Sequence, residues 1–282
     1  MDRHGIGGLE ELHRRSIYDI EWFWSAVLEE LGIEFYRPYD RILDLSKGIA
    51  WPRWCCGAQM NIVHNCLDKW IATPVARREA VRWEGEDGET RVLTYDELDR
   101  EVCRLTNALR ALGMKKGDVA ALFMPMLPET VAALFAVAKL GGIALPLFSG
   151  YGAAAVAGRL RDSGARFLLT VDGFYRRGQR VLLKPVADEA AAAAPALERM
   201  LVLDRLGLDT SLSSFRSFRW REETARQSDR AETERTGAED PLMLIYTSGT
   251  TGRPKGALHT HCGFPVKAAQ DMMHGFDIGS GD

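Results

Sequence analysis

From residue 118 onward, short and wholly apolar runs alternate with helical patterns, and that alternation restricts the fold more than any other feature of the chain. Residues 119–124, 143–147 and 166–170 read as strands with little or no polar face. Between the first two, Pro128 and Glu129 open a helix that carries Val131, Leu134, Phe135 and Ala138, and Gly141-Gly142 close it. Another helix is expected around 153–162. A strand without a polar face has to be covered on both sides, and strands joined through helices run parallel. The expected fold is therefore α/β, with a parallel sheet, helices on both faces and right-handed crossovers.

Upstream, Thr94-Tyr95-Asp96-Glu97 has the form of a capping box, in which a Thr hydroxyl and a Glu carboxylate each satisfy an orphan backbone donor. Leu98, Val102, Leu105, Leu109 and Leu112 then fall on one helical face, and Gly113 marks the end. The tryptophan-rich opening, 16–70, predicts a helix started by Ser16 with Asp19 and bearing Trp22, Phe23, Val27, Leu28 and Leu31, with Gly32 as its stop. Residues 36–39 and 47–52 read as irregular chain, 190–194 as a helical surface, and 219–240 as a solvated loop rich in Arg, Glu, Asp, Ser and Thr.

A net charge of −3 over 282 residues leaves no basic field for nucleic acid, so no such partner is expected. The most apolar stretch, 131–148, is broken by Lys139, Gly141-Gly142 and Pro146, which argues for helix then strand and against a membrane span. No secretory signal is visible at the N-terminus, and the five cysteines have no regular spacing. Free thiols in a reducing compartment are the natural reading, hence a cytoplasmic protein.

Chemistry concentrates in one segment. Residues 242–246 read as a buried strand, followed by Thr247-Ser248-Gly249-Thr250-Thr251-Gly252-Arg253-Pro254-Lys255-Gly256. Open parallel sheets bind ligands at the C-terminal ends of their strands. There the glycines would let backbone N–H groups approach phosphate oxygens, hydroxyls of Thr247, Ser248, Thr250 and Thr251 would donate further bonds, and Lys255 would add positive charge. A Walker loop needs Gly-Lys followed by Ser or Thr, which Pro254-Lys255-Gly256 does not provide. The bland alternative is a Gly/Ser/Thr turn between strands, and the particularity of the whole string outweighs it.

The string from Tyr246 to Gly256 resembles the phosphate-loop signature of the adenylate-forming superfamily, to which acyl-CoA synthetases, luciferases and peptide-synthetase adenylation domains belong. Leu93-Thr94-Tyr95-Asp96-Glu97-Leu98 and Lys139-Leu140-Gly141-Gly142-Ile143-Ala144-Leu145-Pro146 resemble weaker motifs of that family in the same order. Trp54-Cys55-Cys56-Gly57, Asn61 and Asn65-Cys66-Leu67-Asp68 resemble the N-terminal extension of acetyl-CoA synthetases and their short-chain relatives, with Cys55 where Phe is more usual.

The resemblance implies an extension over 1–80 and, over 81–282, an incomplete large N-terminal domain of the adenylate-forming fold, with the small C-terminal domain absent. It implies ATP with Mg²⁺, CoA and acetate or another small carboxylate as reactants. The carboxylate attacks the α-phosphate to give acyl-AMP and pyrophosphate, and the CoA thiolate then displaces AMP. ATP phosphates would rest on Thr247, Ser248, Gly249, Thr250, Thr251, Gly252 and Lys255. The nucleotide end of CoA would rest on Arg176, Arg177, Gly178, Gln179 and Arg180, the family's second arginine falling on Gln179. Catalytic residues and Mg²⁺ ligands belong to later motifs, so none is assigned and the chain alone is expected to be inactive. The alternatives are a non-catalytic nucleotide- or CoA-binding remnant, or half of a split synthetase completed by a C-terminal polypeptide. His259 and His261 would share one face of a strand, a spacing metals can use, but no third ligand is evident, and Cys55, Cys56, His64 and Cys66 fit no usual ligand pattern.

Overall fold

The computed structural model describes residues 2–208, 212, 216–247, 254–279 and 281. The chain opens with α1 (Leu9–Tyr18) and α2 (Ile20–Glu30), followed by the antiparallel pair β1 (Arg41–Asp44) and β2 (Arg53–Cys56). The short α3 (Lys69–Ile71) leads to a second antiparallel pair, β3 (Glu79–Glu84) and β4 (Thr90–Thr94), and then α4 (Tyr95–Ala111). Strand and helix alternate through β5 (Val119–Phe123), α5 (Pro128–Lys139), β6 (Ile143–Leu147), α6 (Ala153–Ser163) and β7 (Phe167–Val171). A hairpin of β8 (Gly173–Arg176) and β9 (Gln179–Leu182) precedes α7 (Lys184–Ala192), β10 (Arg199–Leu203), β11 (Ser217–Arg219) and α8 (Trp220–Ala225). Next come β12 (Pro241–Thr247), β13 (Lys255–Thr260) and α9 (Phe264–Gln270).

These elements form two compact units. One comprises Met1–Ile62, Arg235–Asp240 and Thr260–Asp282; the other comprises Val63–Glu234 and Pro241–His259. The second contains a seven-stranded sheet in the order β11-β10-β7-β5-β6-β12-β13. The pairs β10–β11, β10–β7, β7–β5, β5–β6 and β6–β12 are all parallel, as the apolar runs require. Every residue of β7 is buried, so both its faces are covered. Phe123, Leu145, Phe167, Leu168 and Leu169 fill the interior between sheet and helices.

Helix α4 begins as its sequence dictates. The Thr94 hydroxyl accepts the Glu97 amide at 3.3 Å, and the Glu97 carboxylate accepts the Thr94 amide at 2.8 Å. Its stripe Leu98, Val102, Leu105 and Leu109 is buried.

The expected loop over 219–240 needs correction. Trp220 and Thr224 are buried on α8, a helix too short to show a hydrophobic period and held by one large aromatic ring. Further along, the Asn107 side chain donates to the carbonyls of Ser228 and Arg230, and the Thr233 hydroxyl donates to Asp68. The alanine run is a surface on one side only: Ala192 and Ala193 are exposed, while Ala190 and Ala194 are fully buried.

In the first unit, Asp19 alone caps α2, accepting the Trp22 amide at 3.2 Å. Ser16 belongs to α1, where its hydroxyl donates back to the His13 carbonyl, so it starts no helix. β1, between the two expected irregular stretches, and β2, directly after the second, form a strand pair that four-residue runs did not announce. Backbone bonds stitch distant segments of this unit together. The Met60 amide donates to the Thr236 carbonyl, the Ala238 amide to Ala58, and the Cys262 amide to Ala238. His261 is wholly buried, and its Nδ1 accepts the Ile62 amide at 3.2 Å. Among the described residues no helix is long and apolar enough to cross a membrane.

Candidate functional site

β6, β7 and β12 run in one direction, so the segments that follow them leave the same C-terminal edge of the sheet. That edge is where an open parallel sheet takes a ligand. The arginine hairpin follows β7 there and the Phe148–Gly150 turn follows β6, and Thr247, the first residue of the glycine-rich string, ends β12 at the same edge.

Of the phosphate-loop residues, Thr247 ends β12 and Lys255 begins β13, both exposed. Ser248, Gly249, Thr250, Thr251 and Gly252 lie outside the described residues. Tyr246, immediately before the string, donates its hydroxyl to the Asp162 carboxylate on α6. Burial first, and then this bond, push its phenol pKa upward, so the ring keeps its proton. The Arg159 guanidinium lies 4.2 Å from the Tyr151 ring centre and 5.7 Å from that of Tyr246. One turn of α6 thus holds the root of the loop by both ring face and hydroxyl. Gly256 has a steric reason: a Cβ there would lie 2.9 Å from Leu244 Cδ1 and 3.5 Å from Tyr246 Cζ.

The arginine segment forms a two-residue hairpin. Arg176 pairs with Gln179 and Tyr175 with Arg180, while Arg177 and Gly178 turn the chain with φ of 52° and 73°. Such a turn matches the twist of the flanking strands and favours glycine. Arg176, Arg177, Gly178, Gln179 and Arg180 are all exposed, and none of the three guanidiniums makes an ion pair with a described residue. Arg180 lies 5.9 Å over the Tyr175 ring, and Arg176 lies 5.5 Å over Phe148. A Cβ on Gly150 would come within 2.5 Å of the Phe148 ring and 3.0 Å of an Arg176 nitrogen, so a larger residue there would push these two side chains aside.

The hairpin is rooted by Asp172, fully buried at the end of β7. Its carboxylate accepts four backbone amides: Gly173 at 2.7 Å, Arg205 at 2.8 Å, and Leu206 and Leu208 at 3.0 Å. A buried charge satisfied by four N–H donors fixes where β8 starts.

A family model described as AMP-binding enzyme matches residues 67–282. The chain belongs to the AMP-binding enzyme family. A second model, acetyl-coenzyme A synthetase N-terminus, matches residues 9–66. The acetyl-coenzyme A synthetase of Deinococcus radiodurans is 39% identical over 97% of this chain, and acetyl-coenzyme A synthetase 2 of Pseudomonas putida is 38% identical over 96%. Each alignment covers 42% of the relative's own length. Among solved structures, the acetoacetyl-CoA synthetase from Streptomyces lividans matches 99% of this chain and 42% of its own, with a TM-score of 0.89 and 29% identity.

Within this family frame, the glycine-rich string and the arginine segment were legible as sequence. Asp162, Arg159 and Tyr151 were not, because their partner Tyr246 is 84 residues beyond Asp162 and no local pattern joins them. Asp172 carried one available signal, an acidic residue directly after a wholly apolar strand.

Proposed function

We propose that the protein is an AMP-forming acyl-CoA synthetase that activates acetate or another short-chain carboxylate with ATP and passes the acyl group to CoA. The observation that supports this most is the shared sheet edge: the glycine-rich string follows β12 and the arginine hairpin follows β7, both at C-terminal strand ends. In this reading 1–80 is the extension and 81–282 the first part of the nucleotide-binding domain, in a cytoplasmic enzyme.

Thr247, Ser248, Gly249, Thr250, Thr251, Gly252 and Lys255 hold the ATP phosphates. Their N–H, O–H and ammonium donors stabilise the charge that builds on pyrophosphate as the carboxylate attacks the α-phosphorus. Arg176, Arg177 and Arg180, with Gly178 and Gln179, take the phosphates of CoA, for which exposed guanidinium forks that pair with no described carboxylate are suited. Mg²⁺ accompanies ATP. Among the described residues no cluster of three carboxylate, imidazole or thiol groups offers it a site, so no step is routed through it here.

In a complete synthetase carrying this segment, the double change Arg176→Ala with Arg180→Ala should raise KM for CoA roughly tenfold or more, the cost of lost charge-assisted bonds. Acetate-dependent ATP–pyrophosphate exchange should be unaffected. An unchanged KM for CoA would remove the hairpin from the CoA site, and exchange that ignores every short carboxylate would refute the substrate class. The chain spans 42% of the length of the acetyl-coenzyme A synthetases it matches, and we propose that these residues alone complete no turnover. Acetate-dependent pyrophosphate release in proportion to purified chain would contradict that.

A further inference from the structure

Three of the five cysteines are buried: Cys55, Cys103 and Cys262. Cys103 donates to Asp99 on its own helix. Cys55 and Cys262, far apart in sequence, lie in the same compact unit, close enough for each thiol to shift the proton affinity of the other. The Cys262 Sγ also donates to the carbonyl of Trp54 at 3.6 Å and lies 3.8 Å from the Thr260 hydroxyl. Both sulfurs line one cavity of about 220 Å³, walled by Trp24, Leu28, Ile42 and Trp54.

We propose that Cys55 and Cys262 are an oxidisable dithiol, converted to a disulfide by a hydroperoxide that enters the cavity they line.

The placement of the sulfurs is fixed by backbone rather than by chance contact. The Cys262 amide is tied to the Ala238 carbonyl, and the Ala238 amide to Ala58, three residues beyond Cys55. Cys55 itself has φ of 48°, in the left-handed region that a side chain rarely adopts, and the surrounding bonds hold it there. The cavity has room for a molecule of a few heavy atoms, since one water occupies about 30 Å³. The two thiols are not equivalent. The Cys55 thiol, and less strongly the Thr260 hydroxyl, draw the Cys262 thiol towards its thiolate against the opposing effect of burial, whereas the same contact and burial keep Cys55 protonated.

Cys262 is therefore the attacking sulfur. Its thiolate takes one oxygen of hydrogen peroxide, the O–O bond breaks, and the leaving hydroxide takes up the proton that Cys262 gave up on ionising, forming the first water. The Cys55 sulfur then attacks the sulfenic sulfur of Cys262, the S–O bond breaks, and the departing hydroxide takes the Cys55 proton as the second water. Two thiols and one peroxide give one disulfide and two waters. Two electrons pass from the sulfurs to the peroxide.

The test is peptide mapping of the full chain after hydrogen peroxide under native conditions, with free thiols alkylated and the digest left unreduced. A Cys55–Cys262 linked peptide lighter by two hydrogens, formed in most molecules and lost on treatment with dithiothreitol, is expected. Cys56→Ser should keep the link, which separates Cys55 from its neighbour. Cys55→Ser should leave a sulfenic acid at Cys262 that dimedone traps, and Cys262→Ser should leave no adduct at Cys55. Adducts on the other cysteines without this link, in wild-type chain that circular dichroism shows to be folded, would overturn the proposal. So would a link through Cys56.

Discussion

The ammonium of Lys139 lies 2.6 Å from a carboxylate oxygen of Asp68, and its side chain is only 3% exposed. Asp99 is 3.7 Å away on α4, and the Thr233 hydroxyl donates to the second oxygen of Asp68. The Glu234 amide donates to the Lys139 carbonyl at 2.8 Å. One buried cation thus joins the 63–70 segment, α4, α5 and the strap after α8. Burial pushes the Asp99 carboxyl pKa upward, and Lys139 opposes that shift.

Lys139→Met should therefore cost about 3–5 kcal/mol, because two partly buried carboxylates lose their cation while the apolar stem is conserved. Urea unfolding measures it. A loss below about 1 kcal/mol would mean that the carboxylates find water and that the ion pair is dispensable.

The two glycines that follow α5 act differently, and substitution separates them. Gly141 has φ of 71°, where a Cβ costs about 1–2 kcal/mol and asparagine is better tolerated. Gly142 has no such φ, but a Cβ there would lie 2.4 Å from Met114 Cε, 3.1 Å from Val137 Cγ1 and 3.2 Å from the Asp118 carbonyl. Gly141→Asn should keep most of the stability that Gly141→Ala loses. Gly142→Asn should be no milder than Gly142→Ala, and Gly142→Val should lose about 1–3 kcal/mol through overpacking. Melting temperatures that rank the two sites alike for Asn would contradict this division.

What could be read in the sequence was what is local. The strands β5 to β7 and the start of α4 follow from apolar runs and a capping box within a few residues of each other, and both formed where expected. Lys139 was legible as an interruption of an apolar stretch and as the start of a family motif, but not as a buried cation. Its partner Asp68 is 71 residues away, and no periodicity links them. Helix α8 escaped because six residues contain no period, and its stability rests on Trp220 finding a pocket. The arginine hairpin was read from resemblance, while three of the four amides on Asp172 that root it belong to a turn more than thirty residues downstream.

The capping box has a pH signature. The Thr94 amide, and then its hydroxyl, hold the Glu97 carboxyl below its ordinary value of 4.5. As pH falls, the unfolded chain takes up this proton before the folded one does. The contribution is thus present above 4.5 and fades as pH drops through the lower folded value. The stability gap between wild type and Glu97→Ala should narrow between about pH 6 and about pH 3. Thr94→Ala should lose about 1 kcal/mol at neutral pH. A gap that stays constant with pH would show that the carboxylate charge plays no part in the cap.

The glycine-rich string joins β12 to β13. Its flanks are fixed independently of any ligand: Tyr246 is held by Asp162 and Arg159, and Gly256 lies against Leu244. Between these supports, a phosphate cradle and a simple connecting turn make different demands. A cradle needs bare backbone at Gly249, so Gly249→Val in a complete synthetase should abolish ATP–pyrophosphate exchange with little change in melting temperature. A turn would register the same change mainly in stability. Lys255, exposed at the start of β13 and in no ion pair with a described residue, is available to a phosphate oxygen. Lys255→Ala should reduce kcat/KM for ATP by about 1–3 kcal/mol, the range for one charge-assisted hydrogen bond, and leave KM for CoA unchanged. Lys255→Arg should recover part of the loss, since the charge is restored with a different geometry. If both Gly249→Val and Lys255→Ala retain full exchange per folded molecule, the string is a turn and the phosphates are held elsewhere.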